Sequence, residues 1–218
     1  MKTDIENKRC FICGKNGADS DDHIPPKNLF LKKYRSMGHD LIAVPAHSTC
    51  NKSFEKDDEY FRYCLLIPAY WTSELARELW DRKLRKQIHR KESANFRKYI
   101  LKNLTPVEIK TPSGLFLGTQ EAAMLDSKRM DGVVERIARG IYYSINKNIL
   151  PIDFPVDVQM LEPIEGKKQL IKLNVTNKLV SIGIKIFQYY WQPANNDISK
   201  GLFWFIFFES VYYWVFII

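Results

Sequence analysis

Apolar residues recur at helical spacing through residues 69–104, where Leu75, Leu79, Leu84, Ile88, Phe96 and Ile100 stand among Arg and Lys. A second helix is predicted over residues 121–146, with Val133, Val134, Ile137 and Ile141 forming one stripe. Between them, residues 107–118 read as a hairpin around Thr111-Pro112-Ser113-Gly114. After Pro151 the pattern becomes strand-like, over residues 156–161, 170–175, 182–191 and a pair from 203 to 217. Near the N-terminus Leu41-Ile42-Ala43-Val44 reads as a short strand that Pro45 ends, and Ser48 or Thr49 opens a helix running through Phe54, Tyr60, Phe61 and Cys64. There is no internal repeat. The expected class is α+β: an N-terminal module (residues 1–63), a basic helical region with a small hairpin (64–150) and a C-terminal antiparallel β region (151–218).

The most apolar stretch, residues 201–218, is shorter than the roughly 20 residues that a membrane helix needs. Glu209-Ser210 also divides it, so a buried two-strand hairpin is expected and no membrane association. Residues 1–9 are polar with no apolar run behind them, so no signal peptide is expected and the cytoplasm is the expected compartment. Four cysteines in 218 residues are too few for a disulfide scaffold. The 33 basic and 25 acidic side chains leave a net charge of +8. Residues 64–110 hold 11 of the basic and only 5 of the acidic ones, which marks a contact surface for a polyanion.

Two pairs carry metal-ligand spacing. Cys10-Phe11-Ile12-Cys13 and His47-Ser48-Thr49-Cys50 each place two soft ligands on one tight turn, as tetrahedral zinc requires, and Gly14 suits the turn after the first pair. Cys10 and Cys13 could instead be buried small hydrophobes, but their turn-rich, polar surroundings favour a structural zinc site. His47 could be a capping histidine. Cys64 has no partner at ligand spacing and is expected in the core.

Between the pairs lies Asp21-Asp22-His23-Ile24-Pro25-Pro26-Lys27, and Asn51 directly follows the last cysteine. Taken singly, Asp22 could cap a turn, Asn51 could cap a helix and His23 could be structural. Taken together, and followed by Val44-Pro45-Ala46 and the acidic-aromatic stretch 54–62, the layout of residues 8–63 resembles the HNH endonucleases of the ββα-metal type. That resemblance implies roles by position. His23 would be the general base that deprotonates water, and Asp22 and Asn51 would hold one catalytic divalent cation, Mg²⁺ or Mn²⁺, against the scissile phosphate. The chemistry is coherent, since histidine titrates near neutrality and a hard cation stabilises charge on a leaving oxygen. The family's middle Asn falls at Ile42, with Asp40 or His39 as substitutes, and His47 stands where cysteine is the commoner ligand. Asp57, Asp58 and Glu59 are expected to form a solvated helix face, with an extra metal role for Glu59 as the alternative.

Arg82, Lys83, Arg85, Lys86 and Arg90, together with Lys27 after the Pro-Pro turn, are the residues expected to grip phosphates; otherwise they form a solvated face. Trp71 and Trp80 are expected as core anchors. The leading expectation is a metal-dependent endonuclease acting on nucleic acid, DNA before RNA. By resemblance, phage defence is its setting. Two rivals stand beside it: a zinc-knuckle binder that does not cut, and a subunit whose C-terminal β region docks a second copy or another protein.

Overall fold

A computed structural model describes residues 8–37, 39–194 and 197–218. The class is mixed α+β with a C-terminal antiparallel sheet. Strand β1 (Ser20–Ile24) pairs antiparallel with β2 (Ile42–Ala46), and helix α1 (Ser48–Ser53) follows at once. Strand β2 does not end at Pro45: that residue lies opposite Asp21 within the ladder. A two-stranded ribbon leaves one side of each strand free, so the missing N–H is tolerated, and the Pro45 carbonyl accepts the Phe11 N–H.

Phe54 (φ −90°, ψ −6°) separates α1 from α2 (Glu55–Ala69), so the single expected helix is two. The basic stretch is likewise broken. Helix α3 (Glu74–Leu79), capped by Ser73, runs into a π turn at Trp80–Leu84, then α4 (Arg85–Ile88), and α5 (Ala94–Lys102) comes after a further turn. The hairpin is longer than expected, with β3 (Leu104–Lys110) and β4 (Phe116–Ala123) paired along their length. It takes the residues from 121 that helical spacing assigned to the next helix. That helix, α6 (Ser127–Asn146), begins where the Asp126 carboxylate accepts the Arg129 N–H. Its stripe of Met130, Val133, Val134, Ile137 and Ile141 is buried.

The C-terminal sheet comprises β5 (Val156–Leu161), β6 (Val180–Ile182), β7 (Phe187–Ala194), β8 (Asp197–Phe207) and β9 (Val211–Ile217), in the order β5-β9-β8-β7-β6. Of residues 170–175, expected as a strand, the first three end helix α7 (Pro163–Lys172) and the other three form no strand. Pro163 opens this helix, and Leu170 packs on Trp204, Ile206 and Tyr212. The expected strand 182–191 is split by a turn in which Gly183, Ile184 and Lys185 take left-handed φ of 65°, 52° and 66°. One core joins Phe11, Ile24, Leu29, Phe30, Val44 and Phe61 to the α6 stripe and to Phe203, Phe205, Phe207 and Tyr213. Among the described residues, no helix is long and apolar enough to cross a membrane.

Candidate active site and metal centre

The first site is built by a turn and a helix start. Gly14 (φ +70°) lets the chain fold back so that the Gly14 N–H reaches the Cys10 carbonyl (2.8 Å), and Arg9 Nε donates to the Gly14 carbonyl (3.0 Å). His47 and Cys50 flank the first turn of α1. The Asp19 carboxylate fixes that turn by accepting the Ser48 N–H (2.6 Å) and hydroxyl (3.0 Å), which hold Asp19 below the usual carboxylate range. The ligand atoms of Cys10, Cys13, His47 and Cys50 then lie within 4.8 Å of one another. Tetrahedral zinc with bonds of about 2.3 Å sets its ligands about 3.7 Å apart, so a small contraction closes the cluster.

The histidine tautomer fits as well. His47 Nε2 lies 3.0 Å from the Asn16 carbonyl, which can only accept, so the proton sits on Nε2. The lone pair on Nδ1 is left 3.2 Å from Cys13 Sγ and 3.8 Å from Cys50 Sγ. These four residues can hold a metal such as zinc. Cys64 is buried on α2, away from the cluster.

The second site is an open cavity of about 310 Å³ lined by Asp21, Asp22, His23, Pro26, Lys27, Asn28, Asn51, Glu55 and Asp58. Strand alternation sorts the residues of β1. Asp22 and Ile24 are buried, while Asp21 is exposed and His23 half-buried. The buried pair meets α6 one helical turn apart. Ile24 packs on Gly140, where a Cβ would come within 2.5 Å of Ile24 Cγ1, and Arg136 Nε approaches Asp22 Oδ2 to 3.6 Å. Asp22 Oδ1 accepts the His23 N–H (2.8 Å), while Oδ2 has no hydrogen-bond partner among the described residues. From α1, Asn51 Nδ2 donates to the Asp21 carbonyl (3.4 Å), which leaves the amide oxygen for another partner.

Burial pushes the Asp22 carboxyl up against the pull of Arg136. Burial pushes Asp58 up to about 6, again opposed by Arg136, whose Nη2 donates to it at 2.5 Å. His23 is shifted down, first by burial and then by the Lys27 ammonium.

The solvated-face expectation for Asp57, Asp58 and Glu59 fails, because each is engaged. Asp57 pairs with Arg129 (2.6 Å), Asp58 with Arg136, and Glu59 accepts from Gln87 Nε2 (2.7 Å) without lining the cavity. His39 and Asp40 do not line the cavity either, and the His39 N–H is bonded to the Ser181 carbonyl. Arg136 and Asp58 were absent from the expected site. The available signal was Arg136 itself, a charge three residues after Val133 on the apolar stripe. No protein-family model, curated protein or solved structure matches this chain.

Among the basic residues, Lys27 is exposed on the cavity rim. Arg82, Arg85, Lys86 and Arg90 are exposed as well, with Arg82 bound to Glu78 (2.9 Å). Lys83 is half-buried, and burial lowers its ammonium. Trp71 is no core anchor. It is 80% exposed, because the chain turns between α2 and α3 there, whereas Trp80 packs against the core. If this face grips nucleic acid, neutralising Arg82, Lys83, Arg85 and Lys86 together should weaken DNA binding uniformly across sequences and flatten its salt dependence, by up to about 0.9 in slope for each phosphate no longer neutralised. A salt slope equal to wild type returns these residues to a solvated face.

Proposed function

We propose that this chain is a metal-dependent endonuclease of the HNH type that hydrolyses phosphodiester bonds, DNA before RNA. In this reading β1, β2 and α1 form a ββα unit, and zinc at the Cys₃His cluster staples it. The observation that carries the reading is that His23, Asp22 and Asn51 line one open cavity with Lys27 at its rim. The donor sets support two different metals: thiolates and imidazole suit zinc, whereas the oxygens around Asp22 suit a hard cation. Asp22 lines the open cavity, and its buried Oδ2 has no hydrogen-bond partner among the described residues, so that carboxylate has bonding capacity left for such a cation. When bound, Mg²⁺ or Mn²⁺ supplies charge stabilisation at the scissile phosphate.

The chain's own residues do the rest. Asp22 and Asn51 would hold the cation through their oxygens. His23, neutral at pH 7 because burial and Lys27 disfavour its charged form, takes the proton of the attacking water. Lys27 can meet the phosphate without entering the proton transfer. The direct test is nicking of supercoiled plasmid by the full chain in Mg²⁺ or Mn²⁺, with EDTA as the control. Tight DNA binding without nicking in either metal would instead make the chain a binder. One observation favours that second reading, namely the Arg136 charge beside Asp22, which opposes a cation.

A pH profile follows from the direction of the His23 shift. A histidine base is active when deprotonated, and a lowered pKa keeps it so further into acid. Cleavage should therefore hold as pH falls and decline only below 6.5, the ordinary histidine value. Lys27→Met, which removes one positive charge that lowers the imidazole, should move the acid limb upward. A limb at or above 6.5 in the wild type would contradict this assignment of the base.

A further inference from the structure

Arg136 is 3% exposed, yet it is poorly matched to its surroundings. Only Nη2 has a strong partner, Asp58, while Nε and Nη1 have no hydrogen-bond acceptor among the described residues. A further carboxylate oxygen, Asp22 Oδ2, lies 3.6 Å from Nε and is itself without a donor among those residues. Two buried, opposite charges thus stand just outside hydrogen-bond range, each with unmet bonding capacity. Left to themselves they should close, because a bidentate guanidinium–carboxylate pair is the strongest arrangement available to both. Asp58 offers the reason that they do not: it draws the guanidinium toward α2. Phe54 also holds it, with the Arg136 guanidinium 4.4 Å from the ring centroid.

Asp22 is 4% exposed and lines the cavity, so its unpartnered oxygen is an independent sign of a ligand there, beyond the acidic cluster itself. We propose that Arg136 is an internal competitor for the divalent cation at Asp22, and that Asp58 is a positioning residue that holds Arg136 off. The proposal rests on the reading of this cavity as a cation site. It goes beyond that reading by assigning the control of cation affinity to a salt bridge between α2 and α6, whose arginine is far in sequence from Asp22 and Asn51. A guanidinium closed on Asp22 would occupy the oxygen that the cation needs. Held on Asp58, it only repels the cation by its charge.

The experiment is Mn²⁺ titration of the zinc-loaded full chain, read by electron paramagnetic resonance, with the Asp22→Ala variant defining the component that belongs to the cavity. Zinc content and circular dichroism check each fold. Arg136→Gln should bind Mn²⁺ more tightly by about tenfold or more, the scale expected when one unit charge near a divalent ion is removed from a partly screened interior. Arg136→Lys, which keeps the charge but shortens its reach, should tighten binding less, and it carries the test should the glutamine variant not fold. Asp58→Ala should weaken binding by a similar factor, and adding Arg136→Gln to it should restore the affinity, because the competitor is gone. Unchanged or weaker binding in both Arg136 variants overturns the proposal. So does a double variant as weak as Asp58→Ala alone, since Asp58 would then be a ligand itself. Absence of Asp22-dependent Mn²⁺ binding in every variant removes the cation site and the proposal with it. The expected Mn²⁺ pattern without plasmid cleavage would leave the competitor standing and remove only the nuclease.

Discussion

Cys13→Ser should strip about one zinc equivalent from each chain and lower the melting temperature by about 10 °C or more. The sulfur it removes lies 3.2 Å from His47 Nδ1, in a cluster that also holds Cys10 and Cys50. Serine is a poor zinc ligand, and three remaining donors leave a coordination position open to water. In short zinc-finger peptides the binding free energy is about 10–16 kcal/mol, and it is also folding free energy. A chain of this size loses roughly 2–4 °C per kcal/mol, so even a fraction of that energy gives the stated shift.

The damage should spread beyond residues 8–63. Cys10 and Phe11 belong to the same core cluster as Val134, Ile137 and Phe203, so loosening the knuckle exposes the face of α6 that packs on β1 and β2. Mass spectrometry for zinc and a thermal melt followed by circular dichroism check both parts. Chelation of the wild type should reproduce the variant. Full zinc retention at an unchanged melting temperature would remove Cys13 from the ligand set.

What the sequence made legible follows the range of the interactions involved. The four candidate ligands stand out because a metal imposes short, fixed spacings, and Cys10, Cys13, His47 and Cys50 do lie together in space. Residues 156–161 form the strand that their composition predicts, and β8 and β9 form the expected hairpin at Phe208 and Glu209, both in left-handed conformation. Where local signals competed, pattern misled. The stretch 170–175 is β-branched and apolar enough for a strand, but Pro163 fixes a helix start upstream, and a helix presents Leu170 to the outer face of the sheet. Residues 121–123 lost their helical assignment to pairing with β3, a tertiary interaction that no window of sequence contains.

The least legible feature was the environment of Asp22. Its neighbours Asp58 and Arg136 lie 78 positions apart from each other, and nothing local marks Asp58 as lining the cavity or Arg136 as reaching Asp22. A charged residue on a buried stripe was the one available clue. The acidic run on α2 looked solvated because sequence cannot say that Arg129 and Arg136, two turns apart on α6, will cover it.

If the chain is the proposed nuclease, His23→Ala should abolish plasmid nicking while sparing zinc, fold and DNA affinity. His23 is half-buried in β1, opposite Ala43, so its loss opens no large core cavity. Neither the Cys₃His cluster nor the Asp22–Arg136–Asp58 group contains it. Removing a general base costs about 10²–10⁴-fold in rate.

Asn51→Ala should also stop cleavage, but for a different reason. It deletes an oxygen donor and the bond to the Asp21 carbonyl, leaving the base in place, so raising Mn²⁺ should recover part of the rate. On the same reading no concentration of metal should rescue His23→Ala, because a cation at Asp22 would not accept the proton that the imidazole would take. A nicking time course at two Mn²⁺ concentrations, with DNA binding measured in parallel, separates the two. Wild-type cutting by His23→Ala, or equal rescue of both variants by Mn²⁺, would leave His23 without a catalytic role and make nucleic-acid binding the better account of the cavity.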